Sequence, residues 1–165
     1  MATYQLAQVN VAQMLAPLDS PLMADFVANL DPINALADQS PGFVWRLKTE
    51  EGDATAIQAF DDNLILVNLS VWETIDALKN YTYHTAHTAI MKRRREWFSK
   101  FQGAYMVLWW IEAGHFPTPL EARQRLNALS QLGPTPYAFT FRHSFESPAS
   151  NTETKKSGPT EVSQI

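Results

Sequence analysis

The chain contains no cysteine. Disulfides, thiolate metal sites and cysteine nucleophiles are therefore excluded, and a reducing compartment is the natural setting. Glycine is scarce, with 6 in 165 residues. No glycine-rich phosphate loop, dinucleotide fingerprint or nucleophile elbow is present, which argues against nucleotide binding. No apolar run approaches the roughly 20 residues that span a bilayer. The opening MATYQLAQVNVAQ has no basic stretch ahead of a long apolar one, so no secretory signal is expected there. These absences point to a cytoplasmic protein without membrane association. Charge of one sign is also in short supply. The net charge is −4, so no global field draws the chain to nucleic acid. The basic run Lys92-Arg93-Arg94-Arg95 covers all sides of a helix rather than one face, and Glu96 follows it.

What is present is apolar and aromatic. Hydrophobic residues make up 45% and charged residues 18%, a globular balance that can build a core without metal or disulfide. Residues 4–11 alternate as a strand. Ser20-Pro21 caps a helix to about Asn29, and Asp31-Pro32 restarts a second one to Ala37. Residues 43–48 read as a strand, and 56–60 as a possible edge segment between polar turns. Residues 64–72 (LILVNLSVW) form the strongest strand, followed by a short helix from Glu73. A break near 80–82 leads to a longer helix from Tyr83 to about Lys100. A strand at 104–111, a helix at 117–132 and a final strand at 137–142 complete the order.

This order is β-α-β-β-α-β with an added helix and strand, the split βαβ or ferredoxin-like arrangement of an α+β fold. Residues 1–146 form the domain. Residues 147–165 turn to Ser, Thr, Asn, Lys and Glu without periodicity and read as a disordered tail.

In the strand at 64–72 one face carries Ile65, Val67, Leu69 and Val71, which suits packing against helices. The other carries Leu66, Asn68, Ser70 and Trp72, a mixture suited to a ligand cavity on an open sheet face or to a dimer interface. Gln8 and Asn10 repeat that polar pattern on the first strand. In the longer helix, Tyr83, His87, Ile90, Met91, Arg94, Trp97 and Phe98 recur on one face. His87 and Arg94 then stand as two polar groups on an apolar stripe, either as a base and an anion holder or as satisfied buried groups. The candidate catalytic residues are His87, Arg94 and Asn68. Trp45, Ser70, Trp72, Tyr83, Met91 and Trp109 are the candidate substrate-binding residues. His84 and His87 lie close enough to share a metal, but no third ligand accompanies them, and no metal site is expected.

The stretches YQLAQVNVAQMLAPLDSP, FVWRL, LVNLSVWETIDAL, YHTAHTAIMKRRREWF, VLWWIEAGHFPTPLEA and GPTPYAFTF resemble an uncharacterised bacterial domain family. That family is placed in the dimeric α/β-barrel superfamily, beside the antibiotic-biosynthesis monooxygenases. The resemblance spans about residues 4–145. It implies a ferredoxin-like protomer that dimerises sheet to sheet and encloses pockets. It also implies one of two chemistries, a cofactor-independent oxidation around Asn68 and Trp72 or a haem held by His87. The resulting expectation is a homodimer that binds, and as an enzyme would oxidise, a small apolar or aromatic molecule. A non-catalytic binding module and a structural dimer without a site stay open beside it.

Overall fold

The structure, a computed structural model, describes residues 3–48, 64–85, 87–101 and 103–149. The possible edge segment at 56–60, its flanking turns and most of the expected tail lie outside the described residues. Strand β1 spans Tyr4–Met14, helix α1 Ala24–Gln39, β2 Phe43–Arg46 and β3 Ile65–Trp72. Helices α2 (Ile75–His84) and α3 (His87–Lys92) follow, then β4 (Phe98–Ser99), β5 (Met106–Glu112) and α4 (Pro119–Leu132).

The antiparallel sheet runs β2-β3-β1, with β5 pairing the first part of β1's far edge and β4 its end. β1 and β2 are parallel with β3 between them, and β3 and β5 are parallel with β1 between them. Two right-handed crossovers in this arrangement must lie on the same face of the sheet. The fold is therefore α+β and ferredoxin-like.

The choice of face corrects the sequence reading. Helices α1, α2 and α3 cover the face of Leu6, Trp72, Leu66 and Leu108, which also carries Asn68 and Ser70. The aliphatic face of Val9, Val67, Leu69, Val71 and Val107 packs instead under α4, through Ala122, Leu126 and Leu129. The appended helix, capped by a reciprocal Thr118–Glu121 box, thus covers the aliphatic face in place of the crossovers. Both faces are apolar enough to bury, so alternation alone could not say which one the crossovers would choose.

Two helices depart from expectation. α1 is continuous through Pro32, with a 3₁₀ turn at Pro21–Met23 ahead of it. Proline withholds one helical bond there, but Asp31 and Pro32 are exposed, so the lost bond faces water. The helix expected from Tyr83 to Lys100 is divided. α2 ends at Thr85, whose backbone is extended (φ −127°, ψ 178°). The Thr85 hydroxyl donates to the Tyr81 carbonyl and accepts from the His87 N–H at 3.3 Å, so a side chain replaces helical bonds at the break. After α3 the chain tightens into a 3₁₀ turn at Arg94–Glu96. The strand expected at 137–142 is reduced to a bridge, in which Phe139 exchanges two backbone hydrogen bonds of 2.8 and 2.9 Å with Leu108.

Gly42, between α1 and β2, has φ +82°, and a Cβ there would lie 2.5 Å from the Ala77 Cβ on α2. Gly42→Ala should therefore combine a left-handed backbone penalty of about 1–2 kcal/mol with an overpacking cost of about 1–3 kcal/mol. A urea midpoint unchanged from wild type would contradict this close approach.

Candidate functional site

A cavity of about 270 Å³ lies between the polar sheet face and helices α1–α3. The helix break at Thr85 shapes one side of it. By dividing α2 from α3 it lets the chain turn, and Tyr81, Thr82 and Tyr83 before the break join His87, Ile90 and Met91 after it on the cavity wall.

The sheet supplies a ladder of polar side chains. β1 and β3 pair with Gln8 opposite Ser70 and Asn10 opposite Asn68. Gln8 Nε2 donates to Ser70 Oγ at 2.8 Å and to Asn68 Oδ1 at 2.9 Å. Trp72 Nε1 donates to the same Ser70 Oγ at 2.9 Å. Asn10 Nδ2 reaches Gln8 Oε1 at 3.5 Å. Gln8 and Ser70 are buried, so these bonds satisfy groups that would otherwise be costly. Asn68, at the end of the ladder, is exposed.

An aromatic wall continues from Trp72. Tyr81 stacks on it with ring centres 5.1 Å apart, and the His87 ring lies 5.1 Å from Tyr81. Burial pushes the Tyr81 phenol up to about 12, with nearby Arg46 pulling against it and Asp38 adding to it. Tyr81 therefore stays protonated at neutral pH. Burial lowers the His87 pKa below the ordinary 6.5, and the hydrogen bond to the Thr82 carbonyl opposes this more weakly. His87 Nδ1 lies 3.4 Å from that carbonyl. A carbonyl only accepts, so Nδ1 carries the proton and Nε2 keeps the lone pair. The result is a neutral imidazole with a basic nitrogen.

Arg94 lines the cavity from the 3₁₀ turn, exposed, with its guanidinium 5.4 Å over the Tyr105 ring. Tyr83 is half exposed and rests against Phe141. Phe26, Leu30 and Ile33 of α1 supply apolar lining.

The structure thus brings Asn68, Ser70, Trp72, Tyr83, His87, Met91 and Arg94 to one cavity. It does not bring Trp45 or Trp109 there, which corrects their assignment. Both project from the aliphatic face. Trp109 is fully buried under α4 and donates to Glu121, and Trp45 packs on Phe116. Consecutive tryptophans must face opposite sides of a strand, and it is Trp110 that takes the crossover-helix side, bonded to the Phe145 carbonyl at 2.9 Å. The candidate set omits Gln8, Tyr81, Thr82 and the α1 residues. Gln8 was visible in the shared alternation of the two strands. Phe26, Leu30, Ile33 and Ala37 form a helical stripe that appears once 24–39 is read as one helix.

Among the described residues no group of three or more His, Asp or Glu side chains is placed to hold a metal. Haem, which the sequence resemblance also implies, is larger than the enclosed part of the cavity, which opens to solvent. The enclosed volume of about 270 Å³ falls below the roughly 300–1,000 Å³ of ordinary small-molecule pockets, and a porphyrin with its substituents needs more than the lower end of that range.

Fold and site together define a ferredoxin-like α+β protein with a polar-floored, aromatic-walled cavity between its sheet and crossover helices. The family model described as Domain of unknown function (DUF3291) matches residues 5–156, and the chain belongs to that family. Among solved structures, SnoaB, a cofactor-independent oxygenase from Streptomyces nogalater, is similar at 17% identity and a TM-score of 0.42, over 68% of this chain and 95% of that one. NE2512, a protein of unknown function from Nitrosomonas europaea, is similar at 16% identity and a TM-score of 0.43, over 72% of this chain and 99% of that one. No curated protein matches the chain. Among the described residues no helix is long and apolar enough to cross a membrane.

Proposed function

We propose that the cavity binds a small apolar or aromatic molecule and that the protein oxidises it with dioxygen, as a cofactor-independent, monooxygenase-like enzyme. The observation that carries this reading is the neutral His87, with its Nε2 lone pair available beside the Tyr81–Trp72 stack. A half-buried neutral imidazole is suited to general-base work near neutral pH. His87 would take a proton from an acidic ring methylene of the substrate. The carbanion would add dioxygen to form a peroxide anion, and the imidazolium would return the proton. Loss of water from the hydroperoxide leaves a ketone, so one dioxygen converts a methylene to a carbonyl plus water. The apolar walls limit water around the anion.

The test is oxygen uptake by chelator-treated protein supplied with fused-ring ketones that carry an acidic methylene. Uptake matched by ketone formation supports the reading. Tight binding without uptake would leave a binding module and sink the enzyme.

We also infer a homodimer. Phe116, packed against Trp45, is 59% exposed and Leu120 at the start of α4 is 64% exposed, an apolar surface suited to a second copy. Light scattering during size exclusion should give twice the chain mass. A monomer at micromolar concentration would refute it.

A further inference from the structure

The polar ladder has a direction, and that direction selects the ligand. Gln8 Nε2 lies 3.4 Å from the Asn68 backbone carbonyl, which can only accept. The Gln8 amide must therefore present its nitrogen to β3, and Asn68 must answer with its side-chain oxygen. The Trp72 indole N–H can only donate, so Ser70 Oγ accepts from both Trp72 and Gln8. Both lone pairs of that hydroxyl are then occupied, and its proton is left to donate elsewhere.

Ser70, Asn68 and Gln8 spend their side-chain oxygens as acceptors within the ladder, Asn10 Oδ1 accepts none of the ladder's hydrogen bonds, and donors are kept in reserve. These are the Ser70 O–H, from a side chain only 6% exposed, and the Asn68 amide N–H groups. Both residues line the cavity. Charge agrees with this polarity. Among the described residues no carboxylate lines the cavity, whereas Arg46 and Arg94 do. Arg46 is paired with Asp38 at 2.8 Å. Arg94 has no carboxylate within ion-pair distance among the described residues.

We propose that the ligand is an aromatic ring compound carrying an anionic oxygen, a carboxylate or an enolate. The oxygen sits against the Ser70 hydroxyl and the Asn68 amide, and Arg94 supplies the compensating charge at the mouth. This rests on the proposed binding of a small aromatic molecule and states what that molecule must carry. It also suits the chemistry, because donors that hold an enolate oxygen stabilise the anion formed when His87 removes a proton.

Calorimetric titration of the full chain at neutral pH tests it with four probes of similar size. These are 2-naphthoate as the carboxylate, 1,3-indanedione as the enolate, neutral 2-methylnaphthalene, and 2-naphthylmethylammonium as the cation. At least one anion should bind more tightly than the neutral compound, and the cation most weakly. Whichever anion leads identifies the oxygen. Ser70→Ala should lower the ratio of preferred-anion to 2-methylnaphthalene affinity about tenfold, the value of a hydrogen bond to a charged group. Ser70 also holds Trp72, so Arg94→Gln, an exposed change, is the second variant and should reduce only the anion. Equal or tighter binding of the cation would overturn the proposal, as would an unchanged anion-to-neutral ratio in both variants. If none of the probes binds, the aromatic-ligand reading itself fails. If 2-methylnaphthalene binds and neither anion is preferred, only the present proposal fails.

Discussion

His87→Gln is expected to lower kcat/KM for the proposed oxidation by about 10²–10⁴-fold, the usual contribution of a positioned general base. Glutamine can still donate to the Thr82 carbonyl as Nδ1 does, but it offers no nitrogen lone pair at the place of Nε2. Substrate affinity should change little, because the ring wall of Trp72 and Tyr81 and the donors of Ser70 and Asn68 are untouched. The pH profile gives an independent reading. Burial holds the His87 pKa below 6.5, so the base form persists below that pH. The acid limb of kcat/KM should therefore fall below pH 6.5 in wild type and vanish in the variant. Stability follows the same sign. The unfolded chain takes up the His87 proton more readily than the folded one, so this contribution is present above 6.5 and lost as pH falls through the folded value. His87→Gln should flatten that part of the stability curve. A wild-type acid limb above pH 6.5, or an undiminished rate in the variant, would remove His87 from the base role.

How much of this was legible in the sequence varies by element. β1, β3 and β5 were readable because their alternation is strong and their residues suit a sheet. α4 was readable because Thr118, Pro119 and Gly133 mark its ends. The cavity's floor was visible in Asn68, Ser70 and Trp72, since a sheet core has no use for polar groups without partners. What escaped was set by competition between local and tertiary terms. The Thr85 hydroxyl takes over the backbone groups that would have continued α2, and nothing in an apolar stripe reports such a capture. A clue lay in threonines at 82, 85 and 88, branched residues that are poor in helix interiors and whose hydroxyls compete for nearby backbone groups. Pro32 misled in the other direction, because a proline on an exposed turn costs a bond that water can replace. The face reversal was invisible in principle. Two apolar faces compete for two sets of helices, and the register and crossover handedness that decide between them are properties of the assembled sheet.

That reversal carries its own consequence, which Trp109→Ala exposes. Trp109 is fully buried on the aliphatic face, its Nε1 donates to Glu121 at 3.4 Å, and the Arg125 guanidinium lies over its ring at 5.7 Å. Truncation removes a large side chain from between β5 and α4 and leaves a void that the sheet backbone cannot close. The expected loss is about 3–5 kcal/mol. For a chain of this size that corresponds to a melting point lower by about 6–20 °C. Ligand affinity measured well below the transition should stay at the wild-type value, because Trp109 lies across the sheet from the cavity. Trp72→Ala provides the contrast. It too is fully buried, but it lines the cavity and stacks on Tyr81, so it should lose affinity as well as stability. Thermal melts and titrations on the two variants separate the faces. If Trp109→Ala lost ligand affinity while keeping its melting point, Trp109 would belong to the binding surface and α4 would not be the cover of the core.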